Sequence, residues 1–342
     1  MKALFLDRDG VINIDHGYVS TIDDFEFTDG IFEFIKLFID KGYRIFIITN
    51  QSGIGRGYYT QRDFDILTNF MLDEFRARGI AIDGVYHCPH APEEMCRCRK
   101  PSIGMVEKAL LDYPDIDLEN SIMVGDKQSD MDFAINANIK DRIFIKESKD
   151  IRERLRYLMI KDEFISHQEV LTKTIDMLIP DIQRASTLVI DTLKRGNKIL
   201  LCGNGGSAGD AQHISAELTG RYKSRRGALS AIALTTDTSA ITAIANDFGY
   251  KYIFSRQVEA LAESGDLLIA ISTSGNSENV ILAVESAKAL KCRTIGLTGR
   301  DGGVMRGICD IDIIVPSDDT ARVQEMHILI GHSICQSVDS AY

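Results

Sequence analysis

The chain of 342 residues lacks an excess of positive charge, and it lacks long hydrophobic segments. Its net charge of −11 argues against nucleic acids and anionic membrane surfaces as partners, because binding to either needs clustered lysine and arginine. No apolar run reaches the roughly 20 residues needed to span a bilayer, and no signal-peptide pattern is present. Internal repeats are absent as well. We therefore expect a cytoplasmic protein whose partners are small molecules.

The seven cysteines are too few and too irregularly spaced for a disulfide framework, which fits a reducing compartment. Four are scattered among apolar neighbours: Cys202, Cys292, Cys309 and Cys335. The others form a cluster with a histidine, in the pairs Cys88-Pro89-His90 and Cys96-Arg97-Cys98. Three thiolates and one imidazole complete a tetrahedral set with no open position, which is typical of structural Zn²⁺. The pattern predicts a zinc site at Cys88, His90, Cys96 and Cys98.

The length favours two domains of about 100–200 residues, each large enough for its own core. Apolar runs alternate with helical patterns along the chain, which is typical of α/β proteins with parallel sheets. We expect two doubly wound parallel-sheet domains, over residues 1–148 and 162–342. A charged connection at 149–161 is predicted to be helical, and two helices near Asp162–Leu178 and Asp181–Arg195 are predicted to begin the second domain.

Three motifs in the first half place polar side chains at the ends of predicted strands. Asp7 and Asp9 follow the first strand, and two such carboxylates can divide attack on phosphorus from protonation of the leaving alcohol. A phosphoryl group adds negative charge, so Mg²⁺ is expected, and Asp126 can complete its site. Thr49 and Asn50 can bind phosphate oxygens. Lys100 can neutralise them.

These motifs resemble the haloacid dehalogenase superfamily of aspartyl-phosphate phosphatases over residues 1–148. The resemblance implies that Asp7 is the nucleophile and Asp9 the general acid and base. It also implies that Mg²⁺ is held by the carboxylates of Asp7 and Asp126 and by the carbonyl of Asp9.

The zinc loop narrows the resemblance to the D-glycero-D-manno-heptose 1,7-bisphosphate phosphatases and the histidinol phosphatases. The segments 15–18 and 49–57 are more similar to the heptose group, and histidinol phosphatase stays open as the alternative. If the zinc loop forms, it fixes the cationic side chains of Arg99 and Lys100 at the mouth of the phosphatase site. Substrate contacts are expected from Asp15, His16, Gly17, Tyr18, Thr49, Asn50, Gln51, Ser52, Arg99 and Lys100.

The second half contains two loops suited to a sugar phosphate. Asn204, Gly205, Gly206 and Ser207 lie between a predicted strand and a helix, where bare amides can hold an anion. A later loop offers four hydroxyls, from Ser272, Thr273, Ser274 and Ser277. The absence of Gly-x-Gly-x-x-Gly in this region disfavours a dinucleotide.

Two further pairs of residues lie on helices. His213 and Glu217 are four apart and share a helix face, whereas Gln324 and His332 lie eight apart on the last helix. The four could converge on a metal or on a substrate.

Residues 162–342 resemble the sugar isomerase fold and, within it, the phosphoheptose isomerase family, which acts on sedoheptulose 7-phosphate. The segments that carry the resemblance are Cys202–Ser207, Asp210–Arg221, Ala245–Gly249, Ile271–Ser277 and Arg322–Glu325. The resemblance implies that Glu217 moves a proton between C1 and C2 through an enediol, with His332 as the partner acid. It also implies Zn²⁺ at His213, Glu217, Gln324 and His332, substrate contacts from Asn246, Asp247 and Gln324, and a homotetramer.

Together the two resemblances imply a bifunctional enzyme of nucleotide-heptose biosynthesis for lipopolysaccharide or capsule. It would isomerise sedoheptulose 7-phosphate and remove the 7-phosphate of D-glycero-D-manno-heptose 1,7-bisphosphate. A kinase must act between these steps, and no kinase signature is present in the sequence. The alternative is a histidinol-type phosphatase fused to a phosphosugar-binding regulatory domain.

Overall fold

The computed structural model describes residues 1–147 and 149–342. The chain divides into two compact units, Met1–Lys161 and Asp162–Tyr342. None of the helices in the described ranges has the length and apolar character needed to cross a membrane.

The first unit is built on a five-stranded parallel sheet in the order β3-β2-β1-β4-β5. Its strands are β1 (Lys2–Leu6), β2 (Tyr43–Asn50), β3 (Gly84–Cys88), β4 (Ile122–Gly125) and β5 (Asp141–Phe144). The connecting helices are α1 (Ile31–Asp40), α2 (Ser52–Gly55), α3 (Gln61–Ala77), α4 (Gly104–Asp112) and α5 (Gln128–Asn136). Central β1 is buried from Ala3 onward, as expected for a strand covered on both faces.

Local sequence explains where the helices of this unit begin and which face they bury. Helix α3 starts at a capping box, in which the Thr60 side chain and the Asp63 side chain satisfy each other's backbone amides. Helix α1 buries Phe34, Ile35 and Phe38 against one face of the sheet. Because β1 pairs parallel with both β2 and β4, the carboxyl ends of the three strands lie at one edge of the sheet, which is where open α/β folds bind ligands.

The predicted helical connection is part of one continuous helix, α6 (Asp150–Lys194). Ile151, Leu155 and Leu158 pack in the core of the first unit, as their spacing suggests. The prediction of two separate helices after residue 161 is wrong. Pro180 lies inside the helix, and burial of the apolar face on both sides of it, at Leu178 and Ile182, offsets the lost hydrogen bond.

The second unit also has a five-stranded parallel sheet, in the order β10-β9-β8-β6-β7. Its strands are β6 (Ile199–Gly203), β7 (Ala231–Ala233), β8 (Leu267–Ser272), β9 (Arg293–Gly299) and β10 (Ile311–Val315). The helices after α6 are α7 (Gly206–Thr219), α8 (Thr238–Asp247), α9 (Ser255–Leu261), α10 (Glu278–Ala289) and α11 (Thr320–Asp339). The expectation of two doubly wound parallel-sheet domains is confirmed.

The strand order of the second unit places its two predicted anion loops side by side. Strand β6 pairs with β7 on one side and with β8 on the other, so the strand order reverses direction at β6. The first anion loop, defined as residues 204–207, follows β6 and its last two residues begin α7, and the second anion loop, residues 273–277, follows β8. Neighbouring strands in this position form a crevice at their carboxyl ends, which is the usual ligand site of such sheets.

Candidate active sites

The strand-end motifs of the first unit border one cavity of about 340 Å³. Its lining includes most of the predicted contacts, namely Asp7, Asp9, Asp15, Gly17, Tyr18, Asn50, Gln51, Ser52, Arg99 and Lys100. The cavity is also lined by four residues for which the sequence motifs predict no role: Tyr59, Lys127, Ser129 and Asp130.

Lys100 lies between two buried acids at the base of this cavity. Its Nζ is 3.0 Å from Asp7 Oδ1 and 2.6 Å from Asp130 Oδ1, and it donates to the Ile48 carbonyl at 2.9 Å. Burial alone would lower the pKa of Lys100, yet Asp7 and Asp130 raise it, so the ammonium stays charged. Lys100 therefore supplies a fixed positive charge next to the Asp7 carboxylate.

Three carboxylates of the first unit offer oxygens within 4.8 Å of one another: Asp7, Asp126 and Asp130. Close approach is possible because residue 10 is glycine, since a Cβ there would lie 2.3 Å from Asp126 Oδ2. With Lys100, the three leave two negative charges in a mostly buried cluster. Burial, together with repulsion from the neighbouring carboxylates, raises the pKa of Asp7 to about 7 and that of Asp126 to about 6. A hard divalent cation such as Mg²⁺ fits this donor set and its charge.

Asp9 also lines this cavity, and both of its carboxylate oxygens have hydrogen-bond partners. The Arg8 guanidinium contacts both oxygens at 2.9–3.2 Å, Asn13 Nδ2 donates to Oδ1 at 3.1 Å, and Gln51 Nε2 donates to Oδ2 at 2.8 Å. Arg8 and Asn13 are almost completely buried. The Asp9 carboxylate is thus held by side chains from two strand-end loops.

Several predicted contacts of the first unit occupy places that the motifs do not show. The Thr49 side chain is fully buried and accepts from Gln51 Nε2 at 2.8 Å. His16 is half exposed and lies 3.9 Å from Glu26, outside the cavity lining. Asp15 holds its loop in place, because it accepts from Gly17 N and lies 3.0 Å from Lys127 Nζ.

The four residues of the predicted zinc loop come together. Cys88 Sγ lies 3.4 Å from Cys96 Sγ and 3.2 Å from Cys98 Sγ, and His90 Nδ1 lies 3.2 Å from Cys98 Sγ. Although burial opposes ionisation, hydrogen bonds from Cys88 and Cys98 lower the pKa of Cys96 to about 7. Four soft donors packed this closely fit a tetrahedral Zn²⁺.

In the second unit, helices α7 and α11 bring together three of the four predicted ligands. His213 Nε2 lies 2.9 Å from His332 Nε2 and 3.5 Å from Glu217 Oε1. The Tyr222 ring stacks on the His332 ring with centroids 5.4 Å apart. Two imidazoles and a carboxylate at this separation can hold a metal ion, or they can pass a proton across a substrate.

Gln324 lies beside this group, against the start of helix α7. A Cβ at Gly206 would lie 2.3 Å from Gln324 Nε2, so glycine is required for this approach. Gln324 also hydrogen-bonds to the buried Asp210, whose pKa is raised to about 6 by burial. The motif analysis did not assign Asp210, although its position three residues before His213 puts both on one helix face.

Side-chain hydrogen bonds join the first anion loop of the second unit to helix α10, which follows the second loop. Asn204 and Asn279 exchange two amide hydrogen bonds of 2.8 Å, and Tyr250 donates to Asn204 Oδ1 at 3.1 Å. In the second loop, the hydroxyls of Ser272 and Ser277 lie 3.0 Å apart. This network fixes the crevice in which a phosphate would lie.

The remaining predicted contacts of the second unit have mainly local partners. Asn246 donates to Asp247 at the exposed end of helix α8. Ser274 Oγ accepts from Asn276 N in the second anion loop. Ser207 is buried in the first turn of α7, and this helix starts directly after Gly205, whose φ of 55° favours glycine.

Two family models match the chain, one in each unit. The model described as SIS domain matches residues 164–299, and the model described as Polynucleotide kinase 3 phosphatase matches residues 6–143. A solved D,D-heptose 1,7-bisphosphate phosphatase from B. bronchiseptica is 27% identical and covers 46% of this chain and 99% of its own, with a TM-score of 0.41.

The similarity is stronger in the second unit. A phosphoheptose isomerase from Aliarcobacter butzleri is 64% identical over 178 residues, which is 52% of this chain and 94% of the relative. The solved phosphoheptose isomerase from Neisseria gonorrhoeae is 45% identical, with a TM-score of 0.52 over 54% of this chain and 98% of its own. The chain, through its C-terminal unit, belongs to the phosphoheptose isomerase family.

Proposed function

We propose that this chain is a bifunctional heptose-phosphate enzyme. The C-terminal unit isomerises sedoheptulose 7-phosphate to D-glycero-D-manno-heptose 7-phosphate, and the N-terminal unit hydrolyses the 7-phosphate of D-glycero-D-manno-heptose 1,7-bisphosphate. The observation that carries the proposal is the joining of a phosphoheptose isomerase unit to a second unit with a complete carboxylate cluster at its strand ends. A separate kinase adds the 1-phosphate between the two steps.

In the isomerase site, Glu217 removes the proton from C1 and returns it to C2, while His332 exchanges a proton with the oxygens on these carbons. The 2.9 Å approach of His213 to His332 and the stacked Tyr222 ring hold the imidazole in place. The phosphate binds in the crevice formed by the loops 204–207 and 273–277. Zn²⁺ would be held by His213, Glu217, Gln324 and His332, where it would polarise the sugar oxygens.

In the phosphatase site, the Asp7 carboxylate attacks phosphorus and Asp9 protonates the departing sugar oxygen. Asp9 then takes a proton from water, which attacks the aspartyl phosphate, releases inorganic phosphate and restores Asp7. Lys100, 3.0 Å from Asp7, stabilises the charge on the phosphoryl oxygens. Mg²⁺ would be held by Asp7, Asp126 and the Asp9 carbonyl, where it would neutralise the charge between phosphate and nucleophile.

Structural Zn²⁺ at Cys88, His90, Cys96 and Cys98 would fix the adjacent Arg99 and Lys100 at this cavity. The enzyme acts in the cytoplasm as a homotetramer assembled through its isomerase units. The net charge of −11 supports small anionic substrates that bind at local cationic sites, rather than nucleic acid.

A phosphosugar-binding regulator fused to a histidinol-type phosphatase is the competing function. A binding domain needs the anion loops alone, whereas this unit also has Glu217 and His332 converging beside them. The convergence of groups suited to proton transfer supports an enzyme.

The test is a coupled assay with purified chain, sedoheptulose 7-phosphate, ATP and a heptose 7-phosphate kinase. We expect inorganic phosphate and heptose 1-phosphate to form only when all components are present, and heptose 7-phosphate to accumulate without the kinase. Histidinol phosphate is the matched alternative substrate. Faster hydrolysis of histidinol phosphate than of the bisphosphate, with no isomerisation, would favour the competing function.

A further inference from the structure

Gln51 begins the loop after β2 and has no free polar group on its side chain. Its backbone N donates to the Cys88 carbonyl at 2.7 Å, and only 1% of the residue is exposed. Its Nε2 donates to Asp9 Oδ2 and to Thr49 Oγ1, both at 2.8 Å. Its Oε1 accepts from the Tyr59 hydroxyl at 2.6 Å. Because these hydrogen bonds use both the amide nitrogen and the amide oxygen, Gln51 has little capacity left to hydrogen-bond to a substrate.

The orientation of the Gln51 amide is set by what its neighbours can do. An ionised carboxylate only accepts, so the amide must present its nitrogen to Asp9 and its oxygen to Tyr59. Tyr59 must then donate. The Tyr59 ring is held against Gly53, where a Cβ would lie 2.1 Å from the ring carbon Cε1, so the hydroxyl is not free to move away.

The other partners of Asp9 come from its own segment, whereas this hydrogen-bond chain comes from a different loop. Arg8 and Asn13 lie within four residues of Asp9. Gln51 and Tyr59 tie Asp9 instead to the segment between β2 and α3, where the neighbours of Gln51, Asn50 and Ser52, also line the cavity. A misplacement of about 1 Å in a reacting group can cost about 10²-fold in rate, so a tie that fixes the position of Asp9 matters for proton transfer.

We propose that Tyr59 and Gln51 are positioning residues. Tyr59 orients the Gln51 amide, and Gln51 holds the Asp9 carboxyl group in place, first as the acid that gives its proton to the leaving sugar oxygen and then as the carboxylate that takes a proton from water. This inference rests on the proposed role of Asp9 in the phosphatase reaction. It assigns Gln51 to Asp9, instead of to the substrate as the sequence resemblance implies.

The test compares leaving groups that need the proton to different degrees. The sugar alkoxide of heptose 1,7-bisphosphate must be protonated as it departs, whereas p-nitrophenolate leaves without help. The ratio kcat/KM covers only the steps up to departure of the alcohol. For Tyr59→Phe we expect kcat/KM to fall about tenfold with the bisphosphate, a fraction of the 10²–10⁴-fold that a general acid typically contributes. With p-nitrophenyl phosphate we expect a fall of less than about twofold.

A double variant shows whether Tyr59 acts through Gln51. Gln51→Ala should be slower than Tyr59→Phe on the bisphosphate, and the combined variant should be no slower than Gln51→Ala alone. The matched control is Tyr113→Phe, which removes a hydroxyl that donates to the Asp83 carbonyl at 2.7 Å and is not part of the cavity lining. It should leave both substrates unchanged. Isomerase activity reports on the second unit only, so an unfolding profile of each variant that matches wild type is the evidence that the first unit is folded.

Equal losses on the two substrates, wild-type behaviour of Tyr59→Phe, or additive effects in the double variant would overturn the proposal. If wild type hydrolyses glycerol 3-phosphate and p-nitrophenyl phosphate but not the bisphosphate, the proposed substrate is wrong. The leaving-group comparison is then made with glycerol phosphate. A wild-type chain that hydrolyses no phosphate monoester would overturn both the proposed phosphatase function and the role of Tyr59 and Gln51.

Discussion

At the scale of single residues, the histidines and the glutamate near the isomerase site differ in burial and in hydrogen-bond partners. Glu217 lies one helical turn from His213, which in turn contacts His332. His327, on the same helix as His332, is fully buried and bonded to the Thr298 carbonyl, and burial lowers its pKa to about 4. His327 is therefore neutral and structural, which leaves Glu217 and His332 as the proposed groups for proton transfer.

Replacing Glu217 by glutamine keeps its size and hydrogen bonding but removes the base. We expect isomerisation to fall by about 10²–10⁴-fold, the usual contribution of such a group. Bound substrate should also stop exchanging its C1 hydrogen with deuterated water, which NMR measures directly. Exchange that persists in Glu217→Gln but disappears in His332→Gln would reverse the two roles.

The metal loop offers a second prediction at this scale. Cys96→Ser removes one of four donors that lie within 4.8 Å of one another, and a closed site contributes folding energy only when complete. We expect loss of about one Zn²⁺ per chain by elemental analysis and a higher KM for the bisphosphate, because Arg99 and Lys100 follow the loop. Cys292→Ser is the control, since this cysteine lies in the other unit. Unchanged zinc content in Cys96→Ser would contradict the site.

At the scale of elements, the 221–226 loop connects the end of helix α7 to the isomerase site. Arg226 donates to the carbonyls of Glu217 and Leu218 and is paired with Asp339 at 2.9 Å, both side chains being almost fully buried. Asp339 also accepts from the backbone N–H groups of Lys223 and Ser224. The same loop places Tyr222 on His332, so it connects the buried Arg226–Asp339 pair to the proposed catalytic histidine.

Asp339→Asn should destabilise the second unit at neutral pH by about 3–5 kcal/mol, because it leaves a buried arginine without its partner. Although burial opposes it, the hydrogen bonds from Ser224, Lys223 and Arg226 lower the pKa of Asp339 below 3.8. The carboxylate therefore stabilises the fold above that pH and loses its effect as the pH falls through its folded pKa. Urea unfolding should show a constant gap between wild type and variant from about pH 7 to pH 5, and a smaller gap below about pH 4. A gap that widens on acidification would contradict this.

The sequence is informative where a motif lies directly at the end of an apolar strand. Asp7, Asn50 and the loop 204–207 were predictable because strand ends of a parallel sheet meet at one edge. Strand β3 is not evident from its sequence, because Gly84 and His87 interrupt its apolar pattern and it lies at the edge of the sheet. The continuous α6 was hidden by Pro180, since tertiary burial overrides a local break.

Side-chain pairing was less predictable than backbone position. Asp130 follows Asp126 within the same motif, but only the fold shows that the first turn of α5 turns its carboxylate onto Lys100. Gln51 belongs to a motif read as substrate-binding, yet its amide is used by Asp9, Thr49 and Tyr59. Such pairings depend on loops that are distant in sequence, which local patterns do not encode.

At the scale of the whole molecule, each unit has its own sheet, its own core and its own polar site. The cavity of the proposed phosphatase is lined by residues of the first unit, and the groups suited to proton transfer in the isomerase lie in the second. The two proposed chemistries therefore use different side chains on one chain.

This separation leads to a prediction about independent loss of function. Asp7→Asn removes the nucleophile and keeps the side-chain volume, so hydrolysis of heptose 1,7-bisphosphate should fall below detection while isomerisation stays within about twofold of wild type. Glu217→Gln should give the reverse pattern, and an equimolar mixture of the two variants with the kinase should restore the full sequence from sedoheptulose 7-phosphate to heptose 1-phosphate. Phosphate release and NMR of the sugar anomers measure the two steps. If Asp7→Asn also abolishes isomerisation while its unfolding profile matches wild type, the two activities are coupled and the sites are not independent.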